Sequence, residues 1–193
     1  MAKEASVVSS DSVGDPDRFL PLEELCRRFN ALAPAGSRTG RVALIVRRVD
    51  GGVRQVLDGV LVTPEAGVPG DAWERRPNRK EEMQIAVMRV DVARMIANTQ
   101  PLTLFGDNLF LDLDLSSDSL PTGTRLRVGE AMLEVTAKPH TGCRKFEARF
   151  GADARKFVGL PELESRKLRG IYMRVLSAGT VRTGDVVSVL AQE

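Results

Sequence analysis

The only histidine of the chain and one of its two cysteines lie three residues apart, in Pro139-His140-Thr141-Gly142-Cys143-Arg144-Lys145-Phe146-Glu147-Ala148-Arg149-Phe150. A thiolate, not a thiol, is the nucleophile and the metal ligand. Arg144, Lys145 and His140 beside Cys143 favour the ionised form. So does the partial positive charge that a helix start would add. This chemistry suits a soft-metal ligand, a sulfur carrier or a redox thiol. The bland alternative is a half-buried cysteine filling a gap, since free cysteine often packs as a small hydrophobe. His140 could pair with the thiolate or move protons, or it could be a loop residue without a chemical duty.

Those side chains need a strand end, a turn and a helix start to hold them. Leu133 to Ala137 alternates like a strand, and Pro139 and Gly142 then interrupt it. From Cys143 onward Phe146, Phe150 and Phe157 follow helical spacing. The pattern therefore predicts a thiol at a strand-to-helix turn.

Upstream, residues 1–17 read as a mobile tail. Leu22, Leu25, Cys26, Phe29 and Leu32 form the stripe of an amphipathic helix, with Pro21 in its first turn. Cys26 on that stripe reads as a packing residue. Arg41 to Val49, the turn Asp50-Gly51-Gly52 and the strand Val53 to Val62 predict a hairpin. Trp73 reads as a lid on the core rather than a stacking surface. The charged run 74–82 reads as a solvated loop, and Arg75, Arg76, Arg79 and Lys80 could meet a phosphate if it folds over the site. Met83 to Met88 predicts a strand, and Asp91 a helix N-cap or first-turn residue. Asp112, Asp114 and Asp118 lack the central glycine and closing glutamate of a calcium loop. Further strands are expected at 109–113, 125–128, 131–137 and 170–176. A last strand, 181–190, is broken at Gly184-Asp185, and residues 152–169 are expected to be mostly helical.

About seven to nine short strands with few helices and no sustained β-α-β alternation predict a mainly β fold. A closed or nearly closed β-barrel with short helices at its ends fits best. The expected division is a tail plus helix over 1–36 and a barrel over 37–193. With 193 residues, 42% hydrophobic and 28% charged, the chain has room for one proper core. A net charge of +2 and 5% aromatics argue against nucleic acid. No apolar run is long enough to span a bilayer, and the start lacks a signal pattern. A cytoplasmic protein with free thiols is expected.

Gly106-Asp107-Asn108-Leu109, Leu120-Pro121-Thr122-Gly123-Thr124-Arg125-Leu126, Val128-Gly129, the cysteine turn, Arg169-Gly170-Ile171 and Gly179 to Asp185 occur in a fixed order. Together they resemble the MOSC domain, the module named after the C-terminal part of molybdenum-cofactor sulfurases. Gly67-Val68-Pro69-Gly70-Asp71-Ala72-Trp73 resembles a glycine-rich turn of that family. The His-Gly-Gly element that many relatives carry near residues 74–82 is missing here.

The resemblance implies a barrel fold and molybdenum-cofactor handling, with Cys143 as the position matching a metal-ligating thiolate. Thiolate suits molybdenum in a sulfur-rich sphere. The phosphate of molybdopterin calls for cations or N–H donors. Candidates are Gly142, Arg144, Lys145 and Arg149, with Asn108 and Arg174 as weaker choices. No segment identifies a pyridoxal phosphate lysine. One histidine and two distant cysteines do not make a zinc site. A Cys-His hydrolase lacks an evident orienting acid. No four-cysteine iron–sulfur pattern or dinucleotide fingerprint is present, so redox chemistry would need separate electron-donating proteins, and the cofactor a donor protein. The competing class is a non-catalytic ligand-binding or interaction barrel in which Cys143 is structural.

Overall fold

Short alternating strands can bury one face by curling into a closed sheet. The computed structural model, which describes residues 13–191, has that closure. Ten strands occur among the described residues: β1 (Thr39–Arg48), β2 (Arg54–Leu57), β3 (Gly59–Val62), β4 (Ile85–Arg89), β5 (Leu109–Asp112), β6 (Arg125–Val128), β7 (Ala131–Val135), β8 (Ile171–Ser177), β9 (Gly179–Arg182) and β10 (Val186–Val189). Seven of them run β10-β6-β7-β8-β4-β5-β1, and a β1–β10 pairing closes the ring. β2 extends the sheet beyond β1, and β3 pairs with β9.

All pairings are antiparallel except β4–β5. A parallel pair needs a crossover, and the helix α2 (Val90–Ala97) begins that connection. Asp91 lies in its first turn, but the N-cap residue is Arg89, whose guanidinium Asp91 binds at 2.6 and 2.7 Å.

The run 53–62, expected as one strand, divides at Asp58 into β2 and β3, because its halves pair with different partners. The final run likewise divides between β9 and β10, which join separate sheets.

Period-two burial separates two cores. Inside the barrel lie Ile45, Leu109, Leu111, Leu126, Leu133 and Val187. Outside it, Phe110 of β5 faces a second core with Met88, Ile96, Phe146, Phe150 and Phe157. That second core fixes the helices. α3 (Arg144–Phe150) stacks Phe150 on Phe105 with ring centroids 4.1 Å apart, and Phe146 lies 5.9 Å from the same ring. Each buried phenyl ring contributes roughly 1.5–3 kcal/mol, so the turn just before Phe146 is held firmly. α4 (Ala152–Phe157) follows directly, and α1 (Leu22–Asn30) packs against α2 and α4. Cys26 packs against this second core, as its place on the stripe predicts.

The tail expected over 1–17 falls mostly outside the described residues. Its last part is docked: Gly14 N–H donates to Ala148 at 3.0 Å and Asp15 N–H to Gln100 at 2.8 Å. No helix among the described residues is long and apolar enough to cross a membrane.

Gly170 shows how closely the barrel is built. With φ +96°, it lies where an added Cβ would sit 2.1 Å from the Val87 carbonyl oxygen. Only glycine lets β8 leave the preceding loop against β4 at this point.

Candidate functional site

Cys143 is the N-cap residue of α3 and is exposed. It sits on a cavity of about 460 Å³ whose lining is dominated by cations. The buried members are Arg54, Arg149 and Arg169, each less than a tenth exposed. Arg48 is half-buried, and Arg75, Arg76 and Lys145 are exposed. Asp50, which pairs with Arg75, also lines it, as do His140 and Tyr172, whose rings are 4.3 Å apart.

The strands and turns explain this convergence. Arg48 ends β1 and Arg54 begins β2, on either side of the turn 50–52. Arg169 leads into β8, and Arg149 lies in the last turn of α3. Gly106, at φ +78°, leaves the space between them open. An added Cβ there would lie 3.3 Å from Arg54 Nη2 and 3.9 Å from Arg149 Nη1.

Two buried carboxylates lie behind these cations. Asp71 accepts from Arg48 Nη2 at 2.5 Å, from Arg48 Nε at 3.0 Å and from Asn108 Nδ2 at 3.1 Å. Burial pushes the Asp71 carboxyl up, but the Arg48 bonds outweigh it and hold it below the usual range. Asp107 accepts from Arg169 Nη1 at 2.8 and 3.0 Å. Complete burial pushes its carboxyl up, against the pull of Arg169.

Among the described residues Arg54 has no such carboxylate. Its one hydrogen bond runs from Nη1 to the Gly52 carbonyl at 2.7 Å. Burial, with Arg149 and Arg48 nearby, pushes its guanidinium down to about 10. The Nε atoms of Arg54 and Arg169 are buried without a hydrogen-bond partner, as is His140 Nδ1.

His140 Nδ1 lies 3.6 Å from Asp107 Oδ1, beyond hydrogen-bond distance, beside an acid that local sequence did not reveal. Burial, then Arg169 and Arg48, push the imidazole well below its ordinary value. It is neutral, with the Nδ1 edge toward Asp107. Because it is the only histidine, its ring resonances are easily assigned. They are expected to stay flat from about pH 8 to pH 6, where an ordinary imidazole titrates near 6.5; a sigmoid centred there would contradict the buried neutral ring. The unfolded chain binds a proton that the folded ring refuses. Stability from this group is therefore lost as pH falls below about 6.5.

Of the residues singled out from sequence, Cys143, His140, Lys145 and Arg149 meet in this cavity. Gly142 turns away: an added Cβ would lie 3.2 Å from Arg155 Cγ on α4 and from Val158 Cγ2 at its C-cap. Arg144 is exposed and outside the lining. Asn108 is fully buried and acts beneath the surface, accepting from Arg48 Nη2 at 3.2 Å and donating to Val46 O and Asp71. Arg174 lines a separate groove and pairs with Glu134 at 2.8 Å.

Arg75 and Arg76 of the charged run do reach the cavity. Arg79 lies over Trp73, which is buried and donates Nε1–H to Lys80 O, as a lid residue would. Sequence reasoning missed Arg48, Arg54, Asp107, Arg169 and Tyr172. Two of these stand in the quoted motifs, beside Asn108 and Gly170, and that adjacency was the available signal.

Cys26 is half-buried whereas Cys143 is exposed. Iodoacetamide at neutral pH is therefore expected to modify Cys143 several-fold faster, as followed by peptide mass mapping. Equal rates at both thiols would mean that Cys143 is not the accessible one. Among the described residues no three His, Cys, Asp or Glu side chains could hold a metal ion together. A metal bound through this thiol would have to bring other ligands with it.

The fold and site together define a closed β-barrel with an accessible thiol on a cation-lined cavity. The chain belongs to the MOSC domain family, whose family model matches residues 71–188. Its structure is similar to the YUAD protein from Bacillus subtilis, at 20% identity and a TM-score of 0.55, covering 80% of this chain and 97% of that one. It is also similar to YiiM from Escherichia coli, at 19% identity and a TM-score of 0.53, covering 79% and 71%. At these identities the likeness shows the fold. No curated protein matches the chain in sequence.

Proposed function

We propose that this MOSC protein binds the molybdenum cofactor in the cytoplasm, its phosphate among the buried arginines and its metal on the Cys143 thiolate. The observation that carries this reading is the excess of buried guanidinium charge: Arg48 and Arg169 have carboxylate partners, while Arg54 has a single backbone carbonyl. Burying cations without counter-charge is costly, so such a cluster fits a site completed by an anion. A phosphate monoester is dianionic and accepts the paired N–H groups of a guanidinium fork. The open space over Gly106, between Arg54 Nη2 and Arg149 Nη1, suits that ligand.

Bound there, the cofactor would supply a metal that changes oxidation state and already carries sulfur ligands, so one added thiolate is chemically sufficient. The chain's own residues then have separable duties. Arg54 and Arg149 neutralise the phosphate. His140 stands as a neutral ring beside Asp107 in the cavity wall. The cationic loop residues Arg75 and Arg76 stand where the family's His-Gly-Gly element would have helped hold ligand. Delivery of the cofactor falls to a donor protein, and electrons to a separate redox partner. In the competing reading, a non-catalytic barrel, Cys143 would fill a gap; its exposure disfavours that role.

Protein purified from cells that make molybdopterin is expected to carry molybdenum and phosphorylated pterin in roughly equal amounts. Metal analysis and the fluorescence of the oxidised pterin read the two independently. Protein carrying neither, from cells supplied with molybdate, would overturn the reading.

A further inference from the structure

A second cavity, of about 470 Å³, lies on the other side of His140 and Arg169. These two residues line both cavities. We infer that the second cavity is a binding site for a small amphipathic monoanion, a flat or short-chain apolar body carrying one carboxylate.

Its walls are mainly apolar, with Leu120, Val135, Val158, Leu160, Leu168 and Ile171 contributing. Its size and lining are those of sites that hold small molecules by apolar contact and a few polar anchors. Besides the hydroxyls of Ser117, Thr122, Thr136 and Thr141, the polar anchors are mainly cationic. Lys138 and Lys167 are half-buried and form no ion pair among the described residues, and Glu164 is the one carboxylate in the lining. The wall shared with the first cavity is formed by Arg169 and His140, only 7% and 8% exposed, with Asp107 behind them.

These features separate the two cavities chemically. The first offers many cations and a smaller share of hydrocarbon, which suits a phosphate. The second offers a broad apolar surface and a small cationic excess. A sugar or a phosphate would leave that surface unused, and a neutral hydrocarbon would leave the lysines unpaired. One carboxylate on an apolar body answers both. This inference does not depend on what fills the first cavity.

The test uses the full chain and 2-naphthoate as probe, with 2-naphthalenemethanol as its uncharged counterpart, followed by probe fluorescence. Naphthoate is expected to bind saturably and about fivefold more tightly than the alcohol, the size of a partly exposed charge pair. Lys138→Gln together with Lys167→Gln should abolish that preference. These lysines are not core residues, so the double variant should remain folded, as circular dichroism would verify. Leu160→Glu should weaken naphthoate more than tenfold, and Cys143→Ser should leave it unchanged. The inference is overturned by an absence of saturable binding, by equal affinity for acid and alcohol, or by naphthoate binding that is insensitive to the lysine and leucine variants. Displacement of naphthoate by inorganic phosphate, together with its loss in Arg54→Leu, would place it in the first cavity and also overturn the inference.

Discussion

Arg54→Leu is expected to yield a protein that melts a few degrees higher and no longer retains its anion. Arg54 is 6% exposed, and its guanidinium is pushed down to about 10 by burial and by Arg149 and Arg48. A cation whose folded-state pKa lies below its unfolded one destabilises the fold at every pH below that value. A depression of this size corresponds to roughly 3 kcal/mol at neutral pH. Leucine forfeits the bond to the Gly52 carbonyl, worth about 1 kcal/mol, and gains apolar contact. The balance favours the variant, and a domain of this size gains about 2–4 °C per kcal/mol. Pterin content, by contrast, should fall at least tenfold. Calorimetry and pterin fluorescence on the same preparation decide the matter. A lower melting temperature with pterin retained would show that Arg54 is a structural cation. Cys143→Ala provides the complementary arm, losing molybdenum while keeping pterin, because the thiol binds the metal and the arginines bind the phosphate.

Arg169→Leu should act in the opposite sense and more strongly. It leaves Asp107, fully buried, without the guanidinium that contacts it at 2.8 Å. Breaking a buried pair from one side typically costs about 3–5 kcal/mol, so a fall on the order of ten degrees is expected. The deficit should depend on pH. Burial already raises the Asp107 carboxyl, and without Arg169 it rises further. A carboxyl whose folded pKa exceeds its unfolded one favours folding below the unfolded value and loses that contribution as pH rises through the folded one. The variant should therefore recover stability as pH is lowered from about 8 toward 5, relative to the Arg169→Leu/Asp107→Asn double variant. Denaturant melts across that range measure it. Parallel curves for the two variants would mean that the carboxylate is not the source of the loss.

The cysteine turn was legible because its signals are local. Alternation through Val135, the breaks at Pro139 and Gly142, and the phenylalanine spacing all lie within one short segment, and α3 begins at Arg144 as they imply. The barrel was legible from strand count and from the ordered glycine turns. The cation cluster was not, because Arg48, Arg54, Arg149 and Arg169 come together only through closure of the sheet and docking of α3. In sequence each resembles any surface arginine. Arg174 shows the converse. It shares a face of β8 with Tyr172, but its register places it opposite Glu134, and the pair it forms there holds it in the neighbouring groove. Likewise, nothing in the apolar run 53–62 announced that its two halves would serve different sheets.

β1 pairs with β10 through residues 39–41, with β5 through 41–45 and with β2 through 45–48. It is the stave on which the ring shuts, and its partner there, β10, is the last of the described strands to be synthesised. Until residues 186–189 leave the ribosome, β1 and β6 remain unsatisfied edges able to pair with other chains. Shutting the ring is thus a late, long-range event that local helix formation cannot hasten. Chains interrupted before that point are the ones that would aggregate.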